Sequence, residues 1–420
     1  MAEPDSLEAN ARSPLRAWAA SGAMALTGRA GGAPCATPGR PASAVAESLW
    51  QFEQTTTARS GRQPRLPGVG LLGERAAIAG FTRRGPASCG GAFRTVRTGD
   101  GWLGLSLPRA TDIELIPALV ERPALEADPW ETVARWAHDV PTAEAARRVA
   151  LLGLAGGAVP GDGLDSRAAV EITELGPRRH RRERPLVIDL TVLWAGPLCA
   201  HLLGLGGAQV IKVESRSRPD GARFGPPAFF DLLHSGHSMV EVDFGYQRDV
   251  DRLRALIADA DLVLESARAR ALRQFGIEAA DCVADGTSWL SITARGRASN
   301  TVGFGDDIAA SAGLVVADGD DRLPCGDALA DPLTGTCAAA AASEALLADR
   351  ARLIDISMLH VAAEVGTDIP EQHAVVRTDN GWLVETADGR FPVVPPVRRR
   401  VPGRAKGIGA DNATVFGARP

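Results

Sequence analysis

Leu186-Val-Ile-Asp-Leu190, then Trp194-Ala-Gly-Pro197, then Ala208-Gln-Val-Ile-Lys-Val213 decide the fold of this chain. The first and third are short apolar runs of strand length. Between them a helical pattern continues through Leu205, so the segment predicts strand, helix, strand. Gly204-Leu-Gly-Gly207 follows the helix instead of linking a strand to one, so it predicts a helix C-cap and not a nucleotide loop. Further along, Leu253–Ala258 and Thr336–Ala348 read as helices. Leu262–Leu264, Trp289–Thr293 and Leu353–Ile356 read as strands. This alternation predicts an α/β fold with a doubly wound, mostly parallel, Rossmann-like sheet and ligands at the carboxyl ends of its strands.

Upstream of this unit the chain changes character. Gly176-Pro-Arg-Arg-His-Arg-Arg-Glu-Arg-Pro185 is basic, bounded by prolines and without apolar periodicity, which predicts a solvated linker over 176–185. Phe93–Leu107 reads as a hairpin around Thr98-Gly-Asp-Gly101. Ile113–Val120, Trp130–His138 and Thr142–Leu152 read as helices, the last with Thr142 as N-cap. Residues 91–175 are therefore expected to form a smaller α+β domain, 186–365 the large domain, and 366–420 an arm that packs back on it.

An internal echo relates the two ends. Val96-Arg-Thr98 with Gly101-Trp-Leu103 recurs as Val376-Arg-Thr378 with Gly381-Trp-Leu383 at the same spacing. Ala19-Ala-Ser21 lies upstream of the first copy and Ala309-Ala-Ser311 upstream of the second. Two ordered pairs of landmarks suggest a duplicated unit, with residues 1–90 as the remnant of a first copy.

Composition narrows the function classes. The chain has 420 residues, a formal net charge of −5 and 45% hydrophobic residues. Nothing in that balance points to nucleic acid or an anionic membrane as a partner. The six cysteines show no CxxC spacing, the seven histidines form no HExxH, and no metal is expected. The start has no basic region followed by an apolar one, and no apolar run approaches membrane-spanning length, so a cytoplasmic protein is expected.

Asp327-Ala-Leu-Ala-Asp331-Pro-Leu-Thr-Gly335 carries the clearest chemistry. Asp331 before Pro332 and an Ala-rich run predicts an N-cap, with the helix dipole keeping the carboxylate ionised. Such a group can attack a thioester carbonyl, although the local pattern by itself more often marks a structural cap.

The stretch 186–365 resembles the large domain of class III (CaiB/BaiF-type) CoA-transferases, the family that also holds formyl-CoA transferase and α-methylacyl-CoA racemase. The matching pieces are Val187-Ile-Asp-Leu190, Ala195-Gly-Pro197, Gly207-Ala-Gln-Val-Ile-Lys-Val-Glu214, Gly225-Pro-Pro227, Val240-Glu-Val-Asp243, Ala260-Asp-Leu-Val-Leu-Glu265, Ser291-Ile-Thr293, Asp331-Pro-Leu-Thr-Gly335 and Ile354-Asp-Ile-Ser357. Asp100-Gly-Trp102 matches the opening of the family's small domain. The resemblance implies an acyl-CoA:carboxylate CoA-transferase with Asp331 as the acyl-carrying nucleophile. It implies coenzyme A as cosubstrate, an acyl-CoA and a carboxylic acid as partners, no tightly bound cofactor, and a homodimer or a partner paralogue. CoA contacts are expected at Leu193, Trp194, Ala195, Arg216, His237, Arg268, Arg273 and Gly296.

The chain departs from the family in places. The family's Asn-Arg-Gly-Lys motif reads His234-Ser-Gly-His237, and its glycine-phenylalanine-glycine turn reads Ala294-Arg-Gly296. Ser215 and Gln274 stand where basic residues are usual, with Arg216 and Arg273 adjacent. The racemase histidine falls on Asp306. No Asp followed by a glycine-containing turn and helix stands near Pro38–Ala46, where a first copy would carry its own nucleophile, so this resembles a truncated tandem. Racemisation and a non-catalytic CoA-binding subunit are the alternatives.

Overall fold

In the computed structural model, residues 13–123, 127–160, 166–267 and 270–417 are described. A seven-stranded sheet dominates, in the spatial order Val170–Pro177, Arg350–Ser357, Ser288–Thr293, Leu262–Glu265, Leu186–Leu190, Gln209–Glu214, Ser238–Glu241. All neighbouring pairs are parallel except the first, where Val170–Pro177 runs antiparallel to Arg350–Ser357. The α/β, mostly parallel, doubly wound reading holds, and the physical reason lies in the pleat. Val187, Leu262, Leu264, Leu290 and Ile354 join one apolar cluster, while Leu186, Ile188, Val263 and Trp289 join another. Alternate residues thus point into two cores, one on each face. That is why these strands read as unbroken apolar runs.

The winding changes direction beside Leu186–Leu190. From there the chain moves through Gln209–Glu214 to one edge, then returns to place Leu262–Glu265 on the other side. The carboxyl end of Leu186–Leu190 is therefore the topological switch point, where open α/β sheets bind ligands. Val192 reaches across it, its amide donating to Ser266 Oγ at 3.1 Å.

Two expectations need correction. The basic segment 176–185 is anchored, not freely solvated. The Arg178 side chain is 4% exposed and pairs with buried Asp261 at 3.2 Å. Arg182 holds the same carboxylate at 3.0 Å. Leu186 N–H also donates to Asp261, so these arginines clamp the start of the central strand. The helix at Thr142–Leu151 has Pro141 at its cap position; the Thr142 amide and hydroxyl instead donate to Asp100.

The sequence echo is a structural one. Phe93–Arg97 pairs with Trp102–Ser106 so that Val96 faces Leu103 and Arg97 faces Trp102. Ala374–Thr378 pairs with Gly381–Thr386 so that Val376 faces Leu383 and Arg377 faces Trp382. The guanidinium stands 5.7 Å from its ring in the first hairpin and 5.8 Å in the second. Each hairpin gains a third antiparallel strand, Ala155–Ala158 and Gly389–Pro392. The first reaches its third strand through four helices among the described residues between Ala110 and Leu151, the second through a tight turn.

Upstream, the helices Pro14–Ala20, Pro41–Ser60 and Glu74–Ala79 repeat the order Gly305–Ser311, Ala330–Leu347 and Met358–Glu364. The two long members, Pro41–Ser60 and Ala330–Leu347, pack on each other. The first carries no acidic residue in its first turn, whereas the second carries Asp331 there. After Val393 the chain packs back. Val394 N–H donates to Ala19, and Asp411 and Asn412 bond the free edge of Ser238–Glu241, covering an otherwise open sheet edge.

Candidate active site

Two helix starts meet at the switch point. The helix Ala195–Leu205 begins at Trp194 with no side-chain cap, and Gly196 is required there because a Cβ would run into Thr191. The loop before it is held by a buried network around Lys212, whose side chain is wholly inaccessible. Its ammonium meets Asp220 at 3.0 Å and Asp189 at 3.6 Å, and donates to the Thr191 carbonyl. Asp189 accepts from Thr191, and Asp220 accepts from Leu193 N–H at 2.9 Å. Burial alone would depress the Lys212 pKa, yet Asp189 and Asp220 hold it above its ordinary value, so the cation persists. Lys212 and Asp189 are thus scaffold for the 191–194 loop, a role sequence reasoning did not assign.

The second helix, Ala330–Leu347, begins two residues earlier than expected. Leu329 occupies the cap position without a side-chain bond, and Asp331 lies inside the first turn. Gly335, one turn on and on the same face, lets the two helices touch: a Cβ there would stand 2.7 Å from the Ala195 carbonyl. The helix that carries Asp331 thus meets the helix start at Ala195 one turn beyond that carboxylate. Leu193 (φ 71°) and Ala328 (φ 43°) are two of the three described non-glycine residues with positive φ. Each lies just before one of these helix starts, and backbone strain of this kind clusters at functional sites.

Around Asp331 gather Asp306 and Asp307 from Gly305–Ser311, Asp327 from the preceding loop, and Arg75 from Glu74–Ala79. Arg75 Nε donates to Asp327 Oδ2 at 2.9 Å and its Nη2 to Oδ1. The same guanidinium lies 4.9 Å from the Trp194 ring centroid and 5.9 Å from that of Phe81. Asp306 Oδ1 accepts from Ala328 N–H, and Asp307 Oδ1 accepts from Ser106 Oγ and Phe304 N–H. No described residue donates to the Asp331 carboxylate. It rests against Gly305, where a Cβ would collide with its Oδ2 and with the Ala328 carbonyl.

This crowding works against the expected effect of the helix dipole, which is to keep Asp331 ionised. Burial, with help from Asp306, Asp307 and Asp327 and against Arg75, pushes its pKa up to about 7. Burial raises Asp306 to about 6 and Asp307 to about 7 as well. Burial first, and then the neighbouring carboxylates, outweigh the helix dipole.

Of the other expected CoA contacts, Arg216 follows the carboxyl end of Gln209–Glu214 and Gly296 that of Ser288–Thr293. Arg216 is exposed and paired two-point with Glu241, and Arg273 is exposed and paired with Glu278. His237 is buried against the Ala195–Leu205 helix near Gly204, next to His234. Burial and then Lys212 pull its pKa down to about 4, so it is neutral at pH 7 and offers no charge to a phosphate. Gly296 occupies a left-handed turn with Arg167 packed where a Cβ would stand. Arg268 lies outside the described residues.

Residues 185–382 match the model of CoA-transferase family III. This segment belongs to that family. The match includes the switch point, Asp306, Asp307, Asp327 and Asp331, and leaves out Arg75. Among curated relatives, succinyl-CoA:mesaconate CoA-transferase of Haloarcula hispanica is 34% identical over 99 residues, covering 21% of this chain and 25% of that protein. Succinyl-CoA–D-citramalate CoA-transferase of Chloroflexus aurantiacus is 27% identical over 263 residues, covering 56% of this chain and 64% of the relative. Mouse succinyl-CoA:glutarate CoA-transferase is 31% identical over 177 residues, covering 38% and 40%. The chain thus spans from a quarter to just under two thirds of the length of these relatives. A CaiB/BaiF family protein from Brucella suis superposes with a TM-score of 0.43 at 20% identity, over 50% of this chain and 66% of that one. Among the described residues no helix is long and apolar enough to cross a membrane.

Proposed function

We propose that this family III chain transfers CoA from an acyl-CoA to a carboxylic acid, with Asp331 as the group that carries the acyl and then the CoA moiety. The observation that carries this reading is the Asp331 carboxylate itself. It accepts no hydrogen bond from any described residue, yet lies in the first turn of a helix that meets a second, uncapped helix start through Gly335 and Ala195. A carboxylate left unpaired in a crowded acidic pocket is a poor structural cap and a good nucleophile.

In this reading ionised Asp331 attacks the thioester carbonyl and CoA thiolate leaves, forming a mixed anhydride. The thiolate attacks the aspartyl carbonyl of that anhydride, the acyl carboxylate departs, and an aspartyl-CoA thioester remains. An acceptor carboxylate displaces the thiolate again, and the thiolate then takes the acceptor acyl group and frees Asp331. Each step passes through a tetrahedral oxyanion, and the free first-turn amides at Ala195 and Gly196 are the natural donors to it. The relatives named for succinyl-CoA support a short dicarboxylic donor as the first to test.

One observation favours a second reading. Asp306 stands where the racemase histidine falls, with a pKa of about 6 beside Asp331 at about 7. Two such carboxyls suit exchange of an acyl-CoA α-proton. Incubation with a panel of acyl-CoAs beginning with succinyl-CoA, hydroxylamine quenching and mass spectrometry tests the proposal. A label on Asp331, absent from D331A, is expected. Deuterium exchange at the α-carbon without a label would favour the acid–base reading. Binding with neither outcome would leave a CoA-binding subunit.

A further inference from the structure

We infer that Arg75, supplied by the N-terminal segment outside the family match, is a positioning residue that holds Asp331 as a reactive carboxylate and ties it to the Trp194 loop. This rests on the reading of Asp331 as the nucleophile. The N-terminal copy lacks an acid of its own at the start of Pro41–Ser60, yet it sends one guanidinium into the site of the other copy.

The geometry gives Arg75 two attachments. Its two-point bond to Asp327, whose side chain is fully buried, fixes the guanidinium four residues before Asp331. Its face lies on Trp194, the residue that opens the facing helix. A planar, permanently charged fork can satisfy both at once, which a lysine ammonium cannot. Glu74–Ala79 is itself pinned from outside, because Glu74 receives two donors from Arg399.

The charges around Asp331 require such a group. Asp306, Asp307 and Asp327 face it from two elements, and Cys89 adds a thiol donating to Asp327 at 3.3 Å. Against these stand Arg75 and, on the Asp307 side, Arg295, which reaches Ser311 at 3.4 Å. Arg75 is the main influence that opposes the upward shift of Asp331. Without it, Asp331 would lose its counter-charge just where it must be ionised to attack.

The test uses the full chain and reads two quantities. The Asp331 carboxyl is titrated between pH 5 and 9 by isotope-edited infrared difference against D331N. The rate of Asp331 labelling is measured with the acyl-CoA that labels the wild type. In R75Q the titration is expected to move up by about 1 pH unit or more. In R75K it is expected to stay near the wild-type value while labelling slows at least tenfold, since the ammonium keeps charge but not the fork. An unmoved titration in folded R75Q overturns the inference. Should R75Q not fold, labelling of R75K at the wild-type rate overturns it. If wild-type Asp331 is never labelled but its titration moves in R75Q, the nucleophile reading fails while the electrostatic role of Arg75 stands.

Discussion

The carbonyl oxygen of Ala195 lies 2.7 Å from the place where a Cβ on Gly335 would stand. Gly335 is thus the point through which two helix starts touch, and Leu198 closes the same gap at 3.0 Å. Ala at this position would gain about 1 kcal/mol of helix propensity but must push the facing backbone away, an overpacking cost of about 1–3 kcal/mol. The expected outcome for G335A is a melting temperature lowered by a few degrees. A larger loss of Asp331 labelling should accompany it, because Trp194 and Ala195 move with the displaced helix. Calorimetry and the labelling rate measured on one preparation check both.

Asp331→Asn removes the nucleophile while keeping its shape. Transfer and labelling should fall by at least about a thousandfold, since an amide cannot form the anhydride. Stability should not fall. Asp331 is a carboxylate pressed among Asp306, Asp307 and Asp327, and a neutral side chain relieves that repulsion. D331N should therefore melt at or above the wild-type temperature at pH 8. A clear drop would mean the carboxylate is a structural cap after all.

Stability should fall with rising pH above neutrality. Asp306, Asp307 and Asp331 have folded-state pKa values of about 6, 7 and 7, raised from the ordinary carboxylate range. A raised acid binds its proton more tightly in the folded state, so its stabilisation is complete below the unfolded pKa and is lost as pH rises through the folded one. Buried His201 and His237 act oppositely, because burial lowers them to about 3 and 4. Their stabilisation is present above the ordinary histidine value and is lost as pH falls. The two effects oppose between about pH 4 and 6.5; from there to about pH 8 the carboxyls act alone. Melting temperatures across pH 5–8.5 should decline on the alkaline side in wild type and less steeply in D307N.

Much of this was legible in the sequence. The central strands are buried on both faces, so their alternate residues are apolar in two directions and the runs stand out. The Arg97–Trp102 and Arg377–Trp382 pairs recur at fixed spacing because one hairpin register produces both. The edge strand Val170–Pro177 was not legible, because most of its residues are exposed and it lacks an apolar face. Nor was the Arg75–Asp327 pair, whose members are 252 residues apart and join through packing that no local pattern announces. Asp331 stands out by resemblance, but the burial and crowding that raise its pKa do not show in the sequence. The helix dipole can be read locally, whereas the three neighbouring carboxylates converge only in the folded chain.

The C-terminal arm should control the site through Glu74. Arg399 donates twice to Glu74, whose side chain is 5% exposed, and Arg399 Nη1 also lies 3.0 Å from His201 Nε2. Removing one partner of a nearly buried pair leaves the other charge uncompensated, at a cost of about 3–5 kcal/mol when burial is complete. Arg399 is partly exposed, so the lower part of that range applies. R399A should thus lower the melting temperature by several degrees. Because Glu74 precedes Arg75 on one short helix, it should also slow Asp331 labelling. R399A/E74Q removes the stranded charge and should recover most of the stability. If the double variant recovers stability but not labelling, the arm acts on the site by placing the Glu74–Ala79 helix. If R399A alone leaves both quantities unchanged, the arm is only a cover for the sheet edge.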